Sequence, residues 1–119
     1  MFETINRAAL FVAPRRPMTE WIKKIIPESN IDSKNPLEHD TGKIYLIPEF
    51  EDSEELIEWL KDNYEPIFEN ELYSWCTNPD YWPKNPSWEM FTDWLYISFQ
   101  SMVMDSLNSR LLKDQEALN

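Results

Sequence analysis

Two short apolar runs, each shut off by a proline, constrain this chain more than any other feature. Ala8-Ala9-Leu10-Phe11-Val12-Ala13 ends at Pro14, and Lys43-Ile44-Tyr45-Leu46-Ile47 ends at Pro48. Bounded runs of this length suit buried strands, and the β-branched and aromatic residues of the second favour strand over helix. Each run is followed by residues at helical spacing. Met18, Trp21, Ile22 and Ile25 lie at i, i+3, i+4 and i+7, with Pro17 as the first helical residue, where its missing N–H costs nothing. After the second run, Asp52 reads as an N-cap with Glu55 at the capping-box position. Leu56, Trp59, Leu60, Tyr64, Ile67, Phe68, Leu72 and Trp75 then carry a longer helical stripe. Pro66 falls inside it, and its lost backbone bond predicts a kink or break near residues 62–66.

The halves echo each other in Trp21-Ile22-Lys23 and Trp59-Leu60-Lys61, which predicts two buried Trp and two exposed Lys. Residues 28–42 read as a polar loop, with Thr41-Gly42 turning into the second strand. Residues 77–86 hold three prolines beside Tyr81 and Trp82, so packing should order this loop. A last helix is predicted from Asn85-Pro86-Ser87 to about Leu107, burying Trp88, Phe91, Trp94, Leu95, Met102 and Val103. Residues 112–119 are polar and expected to fray.

Composition removes whole classes of function. One Gly excludes glycine-rich phosphate loops; one Cys and one His exclude a disulfide framework and a Cys/His zinc cluster. No apolar run approaches the roughly 20 residues of a membrane helix, and Met1-Phe2-Glu3-Thr4-Ile5-Asn6-Arg7 does not read as a secretory signal, so a cytoplasmic location is expected. The net charge of −11 argues against free nucleic acid and anionic membranes as ligands, since both select basic patches. It fits instead an unidentified, basic protein partner.

Candidate chemistry is sparse. Cys76 has no nearby His in sequence and reads as structural. Glu38-His39-Asp40 is a poor metal site because adjacent side chains diverge, and neither a metal nor a cofactor is expected. Glu65 and Glu69, one turn apart, would form a carboxylate cluster with Asp93 if the second and third helices were antiparallel. Arg7, Arg15 and Arg16 flank the first strand, where arginine either clamps an anion or locks an acidic helix to the sheet. The aromatic set Tyr81, Trp82, Trp88, Phe91, Trp94 and Tyr96 is large for so short a chain, so part of it should reach the surface. Glu54, Glu55, Glu58, Asp62, Glu65, Glu69 and Glu71 lie mostly off the apolar stripe and predict a continuous acidic face in solvent.

Several segments resemble a family of small acidic bacterial proteins: Asn6-Arg7-Ala8-Ala9-Leu10, Tyr45-Leu46-Ile47-Pro48-Glu49, Phe68-Glu69-Asn70-Glu71-Leu72, Trp82-Pro83-Lys84, Phe91-Thr92-Asp93-Trp94 and Ser101-Met102-Val103-Met104-Asp105. The resemblance spans about Asn6 to Leu107 and implies no activity and no catalytic residues.

The expected fold is α+β in one domain, residues 1–119. Two short strands, about 8–13 and 43–47, are linked through a helix and packed against two longer C-terminal helices, the first kinked near Pro66. A two-stranded sheet leaves open edges, which suits a homodimer through a sheet edge. The expected function is a non-enzymatic protein–protein interaction or regulatory module using Glu55, Glu58, Asp62, Tyr81 and Trp82. The alternative is a small ligand binder or enzyme with a carboxylate/arginine cleft built from Arg7, Glu69 and Asp93.

Overall fold

A computed structural model describes residues 2–31 and 41–117. Glu38-His39-Asp40 and most of the expected 28–42 loop lie outside the described residues. The first apolar run forms β2 (Ala8–Pro14), preceded by the two-residue strand β1 (Glu3–Thr4) and followed by α1 (Arg16–Ile25). The second run forms β3 (Lys43–Ile47), which leads into α2 (Ser53–Tyr73). A short 3₁₀ turn, Pro79–Tyr81, precedes α3 (Trp88–Trp94), and β4 (Leu95–Gln100), β5 (Met104–Asp105) and the one-turn α4 (Asp114–Ala117) complete the described chain.

The central sheet has three strands, not two. β2 lies in the middle and pairs antiparallel with β3 on one side and β4 on the other. A separate ribbon pairs β1 with β5, matching Glu3 to Asp105 and Thr4 to Met104. The long last helix expected to reach about Leu107 is therefore corrected: it ends at Trp94, and the chain continues as strand. The reason is long-range. A central β2 has backbone groups free on its second side, and the segment Leu95-Tyr96-Ile97-Ser98-Phe99 supplies the period-two alternation that satisfies them. Leu95, Ile97 and Phe99 turn inward and pair with Pro14, Val12 and Leu10; Tyr96 and Ser98 turn outward. Of the two longer C-terminal helices expected, only α2 exists as such. The start of α3 is also shifted: Ser87, not Asn85, is the cap, its hydroxyl accepting from the Met90 N–H at 3.1 Å.

Pro66 does not break α2, which is helical without interruption from Ser53 to Tyr73. Its amphipathic packing outweighs the one backbone bond that proline removes. Leu56, Leu60, Ile67, Phe68 and Leu72 are buried on one side, against Leu10, Val12, Met18, Ile22, Phe91 and Leu95. Full burial of such a side chain contributes roughly 1.5–3 kcal/mol, so this face dominates the stability of the helix. At the other end the expected cap is present: Asp52 accepts from the Glu55 N–H at 2.9 Å, and Glu55 accepts from the Glu51 N–H at 3.1 Å.

An aromatic cluster including three Trp fills the space between the helices. Phe91 lies 5.5 Å from Tyr64, 5.7 Å from Phe68 and 5.8 Å from Trp88, centroid to centroid, and Trp94 joins Phe68 to Trp21. Trp21 and Trp59 are half-buried, while Lys23 and Lys61 are exposed. Lys61 places its ammonium 5.9 Å from the Trp88 ring centre.

Among the described residues the sheet's outer face stays open. Ala9 and Phe11 of β2, Ile44 and Leu46 of β3, and Tyr96 and Ser98 of β4 point away from the helices. Ile44 and Leu46 are more than half exposed.

Candidate interaction cleft and a buried glutamate

Most of the candidate side chains are fixed by their place on α2 or by the loop that follows it; Arg7 precedes β2 and Asp93 lies on α3. Glu54, Glu55, Glu58, Asp62, Glu65 and Glu69 are all exposed, as the helical spacing predicts. Glu71 is not: it is fully buried, which corrects its place in the acidic face. The sequence carried a signal for this. Glu71 lies three residues after Phe68 and four after Ile67, on the same side of the helix as the buried stripe.

Glu71 faces the inward side of β3. Lys43 Nζ donates to Glu71 Oε2 at 3.1 Å, and the Tyr45 hydroxyl donates to the same oxygen. Asn70 Nδ2 donates to the Tyr45 hydroxyl at 2.8 Å, closing a chain of hydrogen bonds between helix and strand. Glu71 Oε1 is buried with no hydrogen-bond partner among the described residues. Burial raises the pKa of the Tyr45 phenol well above its ordinary value, and the bond to Glu71 adds to this because the carboxylate favours the protonated donor. A protonated, inward-turned phenol is a fixed donor and not a nucleophile, so this constellation fastens the end of α2 to the sheet.

A depression lies between α2 and the proline-rich loop. Its volume is about 670 Å³, within the range of ligand- and peptide-binding clefts. Phe68, Leu72 and Trp82 give it an apolar lining; Glu65, Glu69 and Asp80 add carboxylates, with Lys84 as the basic lining residue. The loop wall is well fastened. Asn78 caps the 3₁₀ turn by accepting from the Asp80 N–H at 3.0 Å, and Trp82 Nε1 donates to the Cys76 carbonyl at 2.7 Å. Trp21 Nε1 donates to the Tyr81 carbonyl at 3.0 Å, tying the loop to α1. Asn85, at φ 54°, takes the left-handed conformation that asparagine tolerates.

The residues singled out from sequence divide between these places. Glu69 and Trp82 line the cleft; Glu55, Glu58 and Asp62 lie exposed along the same helix, and Tyr81 is exposed on the loop. Asp93 lines a separate depression with Arg15, whose guanidinium donates to the Thr92 carbonyl at 3.1 Å. Arg7 is exposed beside β2, donates to the Asn6 carbonyl at 2.8 Å and lines neither depression. Arg7, Glu69 and Asp93 thus line no common depression of these two. Asp80 and Lys84 were not anticipated as cleft residues, because only the fold of the loop brings them opposite α2. Cys76 is a half-buried free thiol that donates to the Asn78 carbonyl at 3.6 Å. Among the described residues no three His, Cys, Asp or Glu side chains gather as metal ligands would, and no helix is long and apolar enough to cross a membrane.

No family model, curated protein or solved structure matches this chain.

Proposed function

We propose that this protein is a non-enzymatic interaction module that receives a basic, partly apolar segment of another protein in the cleft between α2 and the proline-rich loop. The observation that carries this reading is the pairing of an apolar lining, Phe68, Leu72 and Trp82, with the carboxylates of Glu65, Glu69 and Asp80. The acids Glu54, Glu55, Glu58 and Asp62 extend the same charge along α2, where like charges one turn apart repel and a cationic partner relieves them. Such a field raises the rate of encounter with a basic partner and weakens with salt. The alternative, an enzyme or ligand binder with a carboxylate/arginine cleft, has less support because Arg7 lines neither depression and Glu69 and Asp93 line different ones. A reducing, cytoplasmic setting suits the single free thiol of Cys76.

The test is reversal of Glu55, Glu58 and Asp62 to Lys together, followed by capture of native-cell proteins on wild-type and variant at low and high salt. Captured proteins should be basic, retained at low salt by the wild type and lost by the variant. Equal capture by both at low salt would remove the acidic face from the interaction.

A further inference from the structure

We propose that the segment Ser106 to Lys113 of the C-terminal arm occupies the cleft of a second copy of this chain, so that two copies exchange arms reciprocally. The proposal rests on the reading of the cleft as a peptide-binding surface and adds its occupant. The stretch Ser106-Leu107-Asn108-Ser109-Arg110-Leu111-Leu112-Lys113 contains three leucines, two bases and no acid, in a chain of net charge −11. Asp114 and Glu116 follow and balance the two bases over the whole arm, so it is Ser106 to Lys113 alone that forms a positively charged, leucine-bearing strip on an acidic protein. The cleft has the complementary makeup: among the described residues its lining is apolar side chains and three carboxylates against the single cation of Lys84.

The arm's leucines are placed where burial elsewhere would be favourable. Leu107, Leu111 and Leu112 are 69%, 59% and 55% exposed. Three such side chains in water on one short stretch form an apolar surface that association would cover. The arm leaves the body from a fixed point. β1 and β5 pair through Thr4 and Met104, the Ile5 N–H donates to the Val103 carbonyl at 2.9 Å, and the Leu107 N–H donates to Asp105 Oδ1 at 2.9 Å. From that anchor none of the arm's described residues lines the chain's own cleft. A second copy supplies an equivalent cleft, and a two-fold arrangement satisfies both arms and both clefts at once, which closes the assembly as a dimer. The same arrangement sets the arm in competition with any external basic segment.

Sedimentation velocity of the full chain over roughly 10 µM to 1 mM, a range suited to a contact of this size, tests the proposal. A concentration-dependent dimer that weakens severalfold as salt rises is expected. Two variants should each be monomeric: one ending at Asp105, and one carrying Glu65→Lys, Glu69→Lys and Asp80→Lys. Circular dichroism and urea unfolding establish that both are folded; should the reversal variant fail this check, Glu65→Gln, Glu69→Gln and Asp80→Asn replaces it. Mixing the two is the decisive arm, because one then has only a cleft and the other only an arm. A heterodimer should form in the mixture, and Leu107→Ser, Leu111→Ser and Leu112→Ser in the arm-bearing partner should abolish it. A monomeric wild type at every concentration overturns the proposal. So does a dimer that survives loss of the arm, which would place the contact at the sheet edge or its open face. The synthetic segment 106–113 and an unrelated Lys/Leu-rich peptide, each titrated onto the variant ending at Asp105, separate this proposal from the broader reading. Binding of the unrelated peptide alone refutes arm exchange and leaves the cleft as a peptide site; binding of neither refutes both.

Discussion

Tyr45 on β3 donates a hydrogen bond from its hydroxyl to Glu71 on α2, across 26 residues of sequence, and so ties the only long helix among the described residues to an edge strand of the sheet. The acceptor oxygen is shared with Lys43, and Glu71 is fully buried. A buried carboxylate is tolerable only while its donors stay in place. Tyr45→Phe removes the donor that is best shielded from water and should destabilise the protein by about 1–3 kcal/mol in urea unfolding. Lys43→Met should cost less, about 1 kcal/mol, since the Lys43 side chain is 35% exposed and water screens its charge. Adding Glu71→Gln to Tyr45→Phe should recover part of the loss, because a neutral amide no longer needs a charge partner. A simple sum of the two single losses would show that the pair is not coupled.

The same bond makes a pH prediction. The folded-state pKa of Tyr45 is raised above its ordinary value near 10, first by burial and then by the bond to Glu71. Folding thus favours the protonated phenol, and its contribution is fully present below about pH 10. It is lost as pH climbs from there through the folded-state value, since the unfolded chain releases the proton first. Urea midpoints should therefore show the advantage of wild type over Tyr45→Phe constant from pH 6 to about pH 9 and shrinking above it. An advantage that grows with alkalinity would reverse the assigned direction.

Pro66 offers a gain in stability. It sits in the interior of α2, is exposed, and leaves the carbonyl one turn earlier without its intrahelical donor. The helix persists because Leu60, Ile67, Phe68 and Leu72 are buried on its other side, so the cost of the proline is borne and not avoided. Pro66→Ala should stabilise the protein by about 1–3 kcal/mol, raising the urea midpoint with an unchanged m-value. An unchanged midpoint would mean that the helix accommodates proline here at no cost.

What could be read in advance follows from the range of the forces involved. β2, β3, α1 and α2 were legible because short apolar runs, proline stops and helical spacing are local signals, and the Asp52 cap is a local bond. β4 was not. Trp88, Phe91, Trp94 and Leu95 continue a helical stripe, which masks the short period-two alternation of Leu95, Ile97 and Phe99. The stop comes from β2, whose second edge claims residues 95–100 from far along the chain. Glu71 shows a related limit: its position on the buried side was legible, but Tyr45 and Lys43 as its donors were not until β3 was placed against α2. The cleft was legible in parts, since Glu69 and Trp82 stood out by type, but its shape depends on the loop from Asn78 to Asn85 folding back over Leu72 and Phe68.

Gly42, the only glycine in the chain, is needed for space and not for backbone freedom, since no glycine takes a positive φ. It leads into β3 beside the paired residues Val12 and Lys43, and a Cβ at this point would overlap the Phe11 ring and lie 3.2 Å from the Val12 carbonyl oxygen. The ring is half-buried on the open face of the sheet, edge-on to Tyr96 with centroids 6.0 Å apart, so it has room to move where the Val12 backbone has not. Gly42→Ala should therefore cost about 1–2 kcal/mol, the lower part of the range for overpacking, and disturb the near-ultraviolet signal of the Phe11–Tyr96 pair. In a Phe11→Ala background the ring is gone and only the carbonyl contact remains, so the cost of Gly42→Ala should fall by at least half. Equal costs in the two backgrounds would shift the cause from the ring to the backbone of β2.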